Sequence, residues 1–376
     1  MEIDKNKKRA LLCAGGTGGH LFPAHALASE LIRRGFDVHL VSDERIERYA
    51  ADFPASVRHK VPSATFAGRN PLKLAKAVLS LGKGYLAGRR LISKTKPDVV
   101  VGFGGYPTVP PVMAAATKGV PTMIHEANAV LGRANWLLSN KVKAVALGLP
   151  LSSRMMRQTI YTGNPVRDTV LDAAKNTYKA PESDGDFHLT VFGGSQGAQF
   201  FSAVVLKAIG LLDDSSRGRL KIVQQARAED EQAVRSAYDV MNVRADVATF
   251  FDDMPSRIAD SHLVICRSGA STTAELAVIG RPAILVPYPH ALDHDQAANA
   301  ASLVESGGGW VKKQSEMTPE WLAVELIRLM GNQSILTDVA AKAKAQGRPD
   351  AAQRLANAAV ALASGKKLDQ NVVEEV

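Results

Sequence analysis

Residues 14–31 read AGGTGGHLFPAHALASEL. An apolar run, ALLCA (10–14), leads into four glycines, a threonine and His20, and a helix-like run follows. A glycine-rich turn between a strand and a helix lets the backbone approach a ligand without Cβ interference, and bare N–H groups at the helix start favour an anion. The turn is no P-loop, since no G-x-x-x-x-G-K-[ST] occurs, and GGTGGH is not G-x-G-x-x-G because Leu21 takes the third glycine position.

Outward from this turn the strand–helix alternation continues. Further strands are expected at 37–41, 98–103, 121–124, 143–147, 188–193, 220–224, 247–251, 262–266 and 282–287. They are short, β-branched and continuous, as in strands buried on both faces. Helical runs are expected at 22–34, 129–139, 198–211, 229–240, 271–279 and 294–305, which makes an α/β protein with parallel sheets. The pattern starts twice. FGGSQGA (192–198) follows the strand HLTV as AGGTGGH follows ALLCA, and a third glycine turn, GFGGYPTVPP (102–111), follows DVVV. Ligands of open α/β sheets bind outside the carboxyl ends of strands, where these turns fall. The last 30 or so residues read as exposed helix and a frayed tail, KKLDQNVVEEV.

The 376 residues suffice for two domains with real cores. The only cysteines, Cys13 and Cys266, lie in or beside apolar runs and read as buried free thiols in a reducing compartment. The N-terminus reads as a first strand and not a signal peptide, and no run approaches the roughly 20 apolar residues of a membrane span. A cytoplasmic protein, or one on a membrane's cytoplasmic face, is expected. The net charge is +9, and ten Lys or Arg lie between residues 53 and 97 with no Asp or Glu. There, residues 71–94 carry Leu74, Val78, Leu81 and Tyr85 at helical spacing among the cations. Such a segment suits anionic lipid, or else a core helix with a solvated basic face, and Gly82, Gly84 and Gly88 argue against one long helix.

CRSGASTTAEL (266–276) brings hydroxyls and bare N–H groups for phosphates and Glu275 for vicinal ribose hydroxyls, although an ordinary capped helix would look the same. His290, Asp293, His294 and Asp295 match no zinc spacing and read as a solvated loop. Asp43 stands where a dinucleotide fold keeps its ribose carboxylate, which leaves a nicotinamide-dependent oxidoreductase as an alternative. A nucleic-acid module would explain the basic segment but not the sugar-nucleotide loops, and no nucleic-acid partner is expected.

Taken together, AGGTGGHLFP, GFGGYPTVPP, HEAN (125–128), GNPVR (163–167), FGGSQGA, FDDM (251–254), CRSGASTTAEL and VPYPHALDHDQAANA (286–300) resemble the MurG family. Its members transfer N-acetylglucosamine (GlcNAc) from UDP-GlcNAc to undecaprenyl-diphosphate-MurNAc-pentapeptide (lipid I), giving lipid II for peptidoglycan. The resemblance implies a GT-B fold, two Rossmann-like parallel-sheet domains facing a cleft. It implies an acceptor and membrane-side domain over 1–164, a UDP-GlcNAc domain over 165–343, and a C-terminal helix over 344–376 crossing back. On the donor side it implies that Phe251 meets the uracil through its backbone, Ala270, Ser271, Thr272 and Thr273 face the diphosphate, and Glu275 holds the ribose. Ser195 and Arg167 would contact phosphate, Gln296 the sugar, and Thr17, Gly18, Gly19 and Asn128 would close over GlcNAc. The acceptor would lie against Gly15, Gly16, Gly104, Gly105, Tyr106 and Thr108. His20 is the candidate base and Glu126 the reserve. No cofactor or metal is implied, and the place of work is the cytoplasmic face of the inner membrane, with residues 69–94 against anionic lipid. Other GT-B enzymes on UDP-sugars, an epimerase or a glycolipid transferase, are the nearest alternatives. The chain departs from the family's usual residues at Ala127 and Asp295, where glutamine is common, and at Thr108, where serine is.

Overall fold

A computed structural model of the chain describes residues 7–15, 17–43, 52–63, 71–151, 158–193, 198–291 and 295–375, with only the backbone for 71–75, 77, 78 and 198. It divides into two compact units, residues 1–167 with 349–376, and residues 168–348.

The first unit is built on β1 (Arg9–Cys13), β2 (Asp37–Ser42), β3 (Val57–Lys60), β4 (Val99–Gly102), β5 (Thr122–Glu126), β6 (Ala144–Leu147) and β7 (Thr159–Tyr161). All neighbours pair in parallel, in the order β3-β2-β1-β4-β5-β6-β7. The second unit repeats the plan with β8 (Phe187–Phe192), β9 (Leu220–Gln225), β10 (Arg244–Ala248), β11 (Leu263–Cys266), β12 (Ala283–Leu285) and β13 (Trp310–Val311). Its order is β10-β9-β8-β11-β12-β13, again parallel. In both sheets the chain reverses direction beside the first strand, and that switch point is where open α/β sheets hold ligands. Leu11, Leu12, Val100, Val101, Leu263 and Ile265 are wholly buried, which explains their unbroken apolar runs. Cys13 and Cys266 are buried and free, and burial pushes both thiols up.

Three expectations need correction. The run 247–251 is not the strand; β10 ends at Ala248, and polar Arg244 and Asp246 open it. The tail is not frayed. The helix Ala351–Ala363 buries Leu355, Ala356 and Ala359 in the first unit's core, and Leu368 and Val373 are buried beyond it. The Gln370 amide pairs with the backbone of Tyr161, accepting from its N–H at 3.0 Å and donating to its carbonyl at 3.0 Å, so the tail closes the open edge of β7.

The third correction concerns the basic segment, which forms one helix, Pro71–Thr95. Two of its glycines bring it close to the helix Val109–Thr117 instead of breaking it. A Cβ on Gly84 would lie 2.2 Å from the Pro62 carbonyl oxygen, and one on Gly88 would lie 3.2 Å from Ala114 Cβ. Gly84, Gly88, Ile92 and Thr95 form the buried face, whereas Lys76, Lys83, Arg89, Arg90 and Lys94 are exposed. Leu81 and Tyr85 are half-buried, and the Tyr85 hydroxyl bonds Thr117 at 3.0 Å. The side chains of Leu74 and Val78 lie outside those described; among the described ones, Leu79 and Leu86 stand among the exposed cations, 61% and 56% exposed. No helix among the described residues is long and apolar enough to cross a membrane.

Candidate functional site

In the first unit the helix after β1 starts at Gly18, so His20 stands within its first turn and does not end the preceding loop. Thr17 is the N-cap residue, and its hydroxyl lies 2.9 Å from His20 Nδ1. The Gly15 N–H donates to the Gly104 carbonyl at 3.2 Å, joining the turn after β1 to the turn after β4 across the switch point. Gly104 and Gly105 have φ of +90° and +75°, and a Cβ on Gly15 would stand 3.1 Å from His20 Nδ1 and 3.4 Å from Gly105 Cα. Only bare backbone allows the imidazole to lie against both turns. Thr108 is wholly buried, and its hydroxyl donates to the Gly104 carbonyl at 2.5 Å. It therefore fixes the turn from beneath and presents no hydroxyl at the surface. Tyr106 is half-buried, Gly16 lies outside the described residues, and Arg167 stacks on Phe22 of the same helix, 4.0 Å from the ring centroid. Arg167 thus accompanies His20 in the first unit.

Glu126 ends β5 and is 3% exposed. One carboxylate oxygen accepts from the Asn128 N–H at 3.0 Å and Asn128 Nδ2 at 3.1 Å; the other accepts from the Gly132 N–H at 2.9 Å and Asn135 Nδ2 at 2.8 Å. Burial pushes its carboxyl up, against the pull of these bonds. The carboxylate thereby shapes the 126–132 loop and orients Asn128. Ala127 is buried, and its carbonyl accepts from Asn164 Nδ2 at 2.9 Å, so this position contributes backbone.

His125, beside Glu126, is 1% exposed, and burial depresses its pKa to about 4. An unfolded histidine titrates near 6.5, so between those values only the unfolded chain takes up the proton. Stability is full above about pH 6.5 and should fall, by up to about 1.4 kcal/mol per pH unit from this group, as the pH drops towards 4. Thermal melts from pH 7 to 4.5 should show a shallower decline in His125→Gln; an unchanged slope would contradict this.

In the second unit the helix after β11 spans Ala270–Ile279, with Gly269 as N-cap and no side chain capping it. Ser271 Oγ is buried without a hydrogen-bond partner, whereas Thr273 Oγ1 donates to the Ala270 carbonyl at 3.0 Å. Thr272 and Glu275 are half-buried. Ser268 Oγ donates to the Gln296 carbonyl at 2.8 Å, and Gln296 Oε1 accepts from the Tyr288 N–H at 2.9 Å. The Asp295 carboxylate accepts from the Gln296 N–H at 2.8 Å at the start of the helix Asp295–Val304, where an acid complements the dipole. Phe251 is 8% exposed. Ser195, Asp293 and His294 lie outside the described residues; among those described, no group of His, Cys, Asp or Glu is arranged to hold a metal.

Arg267, which no sequence motif singles out, is 6% exposed, and among the described residues no carboxylate is one of its hydrogen-bond partners. Its guanidinium donates to the Val286 and Pro287 carbonyls and to Gln314, among the rings of Phe200, Phe201 and Tyr288. It braces the turn before the helix. A charged residue at the end of a buried strand was the available signal.

The glycosyltransferase family 28 N-terminal domain model matches residues 10–147, and its C-terminal domain model matches residues 188–355. The chain belongs to glycosyltransferase family 28. Within this family it is 58% identical, over 94% of its length and 95% of the relative's, to the UDP-N-acetylglucosamine--N-acetylmuramyl-(pentapeptide) pyrophosphoryl-undecaprenol N-acetylglucosamine transferase of Sinorhizobium fredii. The Brucella anthropi protein of the same name is 56% identical over 96% of both chains. Among solved structures, Acinetobacter baumannii MurG superposes with a TM-score of 0.76 at 30% identity, covering 94% of this chain and 99% of that one. A UDP-N-acetylglucosamine 2-epimerase, 14% identical with a TM-score of 0.64, shares the fold alone. The family 28 assignment sets aside the oxidoreductase that Asp43 had kept open.

Proposed function

We propose that this chain transfers GlcNAc from UDP-GlcNAc to the 4-hydroxyl of MurNAc in lipid I, with inversion, forming lipid II. The observation that carries the reading is the pair of bare helix N-termini, at Gly18 and Ala270, each beside the switch point of its sheet. The close relatives' shared activity names both substrates.

In this account the second unit holds the donor. The N–H groups of Ala270, Ser271 and Thr272 and the unpartnered Ser271 hydroxyl face the diphosphate, Glu275 takes the ribose hydroxyls, and the backbone at Phe251 takes uracil. The Gln296 amide NH₂ and Asn128 serve the sugar, with Thr17, Gly18 and Gly19. Ser195 and Arg167 are assigned to phosphate. Thr273 and Thr108, whose hydroxyls are engaged inside the protein, shape their turns. The bare turns at Gly15, Gly16, Gly104 and Gly105, with Tyr106, take the acceptor.

Inversion in one displacement needs a base for the attacking hydroxyl and stabilisation of departing UDP. Thr17 orients the His20 ring through Nδ1, and Nε2 is the atom assigned to take the proton. Glu126, with both oxygens hydrogen-bonded, positions Asn128. The helix N-terminus and Arg167 neutralise the leaving diphosphate, a scheme that calls on no metal. Glu275→Ala should weaken UDP binding about 10- to 150-fold, the worth of a charge-assisted contact of about 1.5–3 kcal/mol. Unchanged affinity by calorimetry, with the fold intact, would remove Glu275 from the site.

The lipid-linked acceptor gives the basic helix its role. Lys76, Leu79, Lys83, Leu86 and Arg90 recur at three- and four-residue spacing on the exposed face, as interfacial helices do. Each cation near an anionic surface contributes about 1 kcal/mol. Changing Lys76, Lys83, Arg89 and Arg90 to Ser should reduce sedimentation with phosphatidylglycerol vesicles, as should high salt, while turnover of a water-soluble acceptor persists. Equal vesicle binding by variant and wild type would contradict peripheral attachment here.

A further inference from the structure

The loop between β10 and the helix Met254–Ala259 carries Phe251, the residue assigned to uracil. Among the described residues, no backbone–backbone hydrogen bond holds Phe250, Phe251 or Asp252. Such a segment keeps its N–H and C=O groups for a ligand but needs another source of shape. At its start, Gln225 Nε2 donates to the Thr249 carbonyl at 3.0 Å. Beyond that point the loop rests on Arg257. This guanidinium lies 4.2 Å from the Phe251 ring centroid, bonds Asp253 Oδ1 through Nε at 2.7 Å, and bonds Asp246 Oδ2 of β10 through Nη1 at 2.6 Å. Phe250, 55% exposed, offers no comparable anchor.

We propose that Arg257 is a positioning residue for nucleobase selection: by stacking on Phe251 while tied to β10 and to Asp253, it sets the backbone that distinguishes uracil from other bases. The proposal rests on the assignment of uracil to the Phe251 backbone. Asp246 and Asp253 are each more than half exposed, so the ion pairs add little to stability. Three simultaneous contacts on a planar, forked group do fix its orientation, and with it the ring below. Loss of Arg257 should therefore cost selectivity more than stability. Uracil and cytosine present opposite donor and acceptor patterns at positions 3 and 4, which a fixed backbone N–H and C=O can tell apart and a loosened loop cannot.

The test is binding of UDP and CDP to the full chain by calorimetry, in wild type, Arg257→Gln and Arg244→Gln. Arg244 is paired with Asp186 at the far end of β10, outside the loop, and controls for loss of a surface ion pair. Wild type should prefer UDP, and Arg257→Gln should narrow the UDP-to-CDP affinity ratio by about tenfold. Its donor KM should rise while kcat at saturating donor stays within about twofold. Arg244→Gln should keep the wild-type ratio. A wild-type ratio in Arg257→Gln, or an equal loss in Arg244→Gln, would overturn the proposal. A wild type with no preference for UDP would instead overturn the uracil assignment beneath it.

Discussion

His20→Ala should lower kcat by about two to four orders of magnitude, the usual contribution of a positioned general base, with UDP affinity nearly unchanged. Apart from Arg167, the groups assigned to the donor nucleotide lie in the second unit, so the loss belongs to the chemical step. The ring also fills the space between the turns at Gly15 and Gly104, and its removal could disturb them. His20→Asn separates the two effects, because it restores polar bulk without a titratable nitrogen. If His20 is the base, Asn recovers little and the acid limb of the pH–rate profile disappears in both variants. A variant that keeps wild-type kcat and profile would assign the ring to packing, and the proton would need another acceptor.

Glu126→Ala should destabilise the first unit substantially. It removes the carboxylate acceptor from the Asn128 and Gly132 backbone N–H groups and from the amides of Asn128 and Asn135, of which Asn135 keeps the His125 carbonyl at 3.1 Å. A buried donor left without a partner costs about 1–3 kcal/mol; the Asn128 and Gly132 donors are part-buried and reach water more readily, so a loss of about 2–4 kcal/mol is expected. Glu126→Gln should recover only part, since its NH₂ end would face donors. Denaturant titration of the three proteins gives the order directly. An Ala variant within about 1 kcal/mol of wild type would mean that water replaces the carboxylate, and the hub role would fail.

The sequence made the sheet centres plain and the edges obscure. Strands β1, β4, β8 and β11 are buried on both faces and read as continuous apolar runs. The edge strands do not: VRHK of β3 is largely exposed, β7 has three residues, β13 has two, and β10 alternates polar with apolar. An edge strand packs on fewer neighbours, so its composition is less constrained and its signal weaker. The helix Pro71–Thr95 was obscured by its glycines, two of which, Gly84 and Gly88, allow contact with Pro110 and Ala114, residues about 25 positions away along the chain. At the candidate sites the backbone features could be read: glycines at strand ends, hydroxyls at a helix start. Side-chain supports could not. Glu126 reaches six residues ahead to Gly132, Arg257 binds back across a turn to Asp246, and Arg267 meets Gln314 across the sheet. None of these partnerships follows a spacing rule, because each depends on how separate elements pack.

Release of UDP from UDP-GlcNAc, followed with and without a soluble lipid I analogue, tests the central claim most directly. Glycosyl transfer predicts UDP release only when the acceptor is present, with one β-1,4-linked disaccharide formed per UDP. Acceptor-independent UDP release accompanied by a 2-epimerised sugar, or no release with acceptor at saturation, would contradict it.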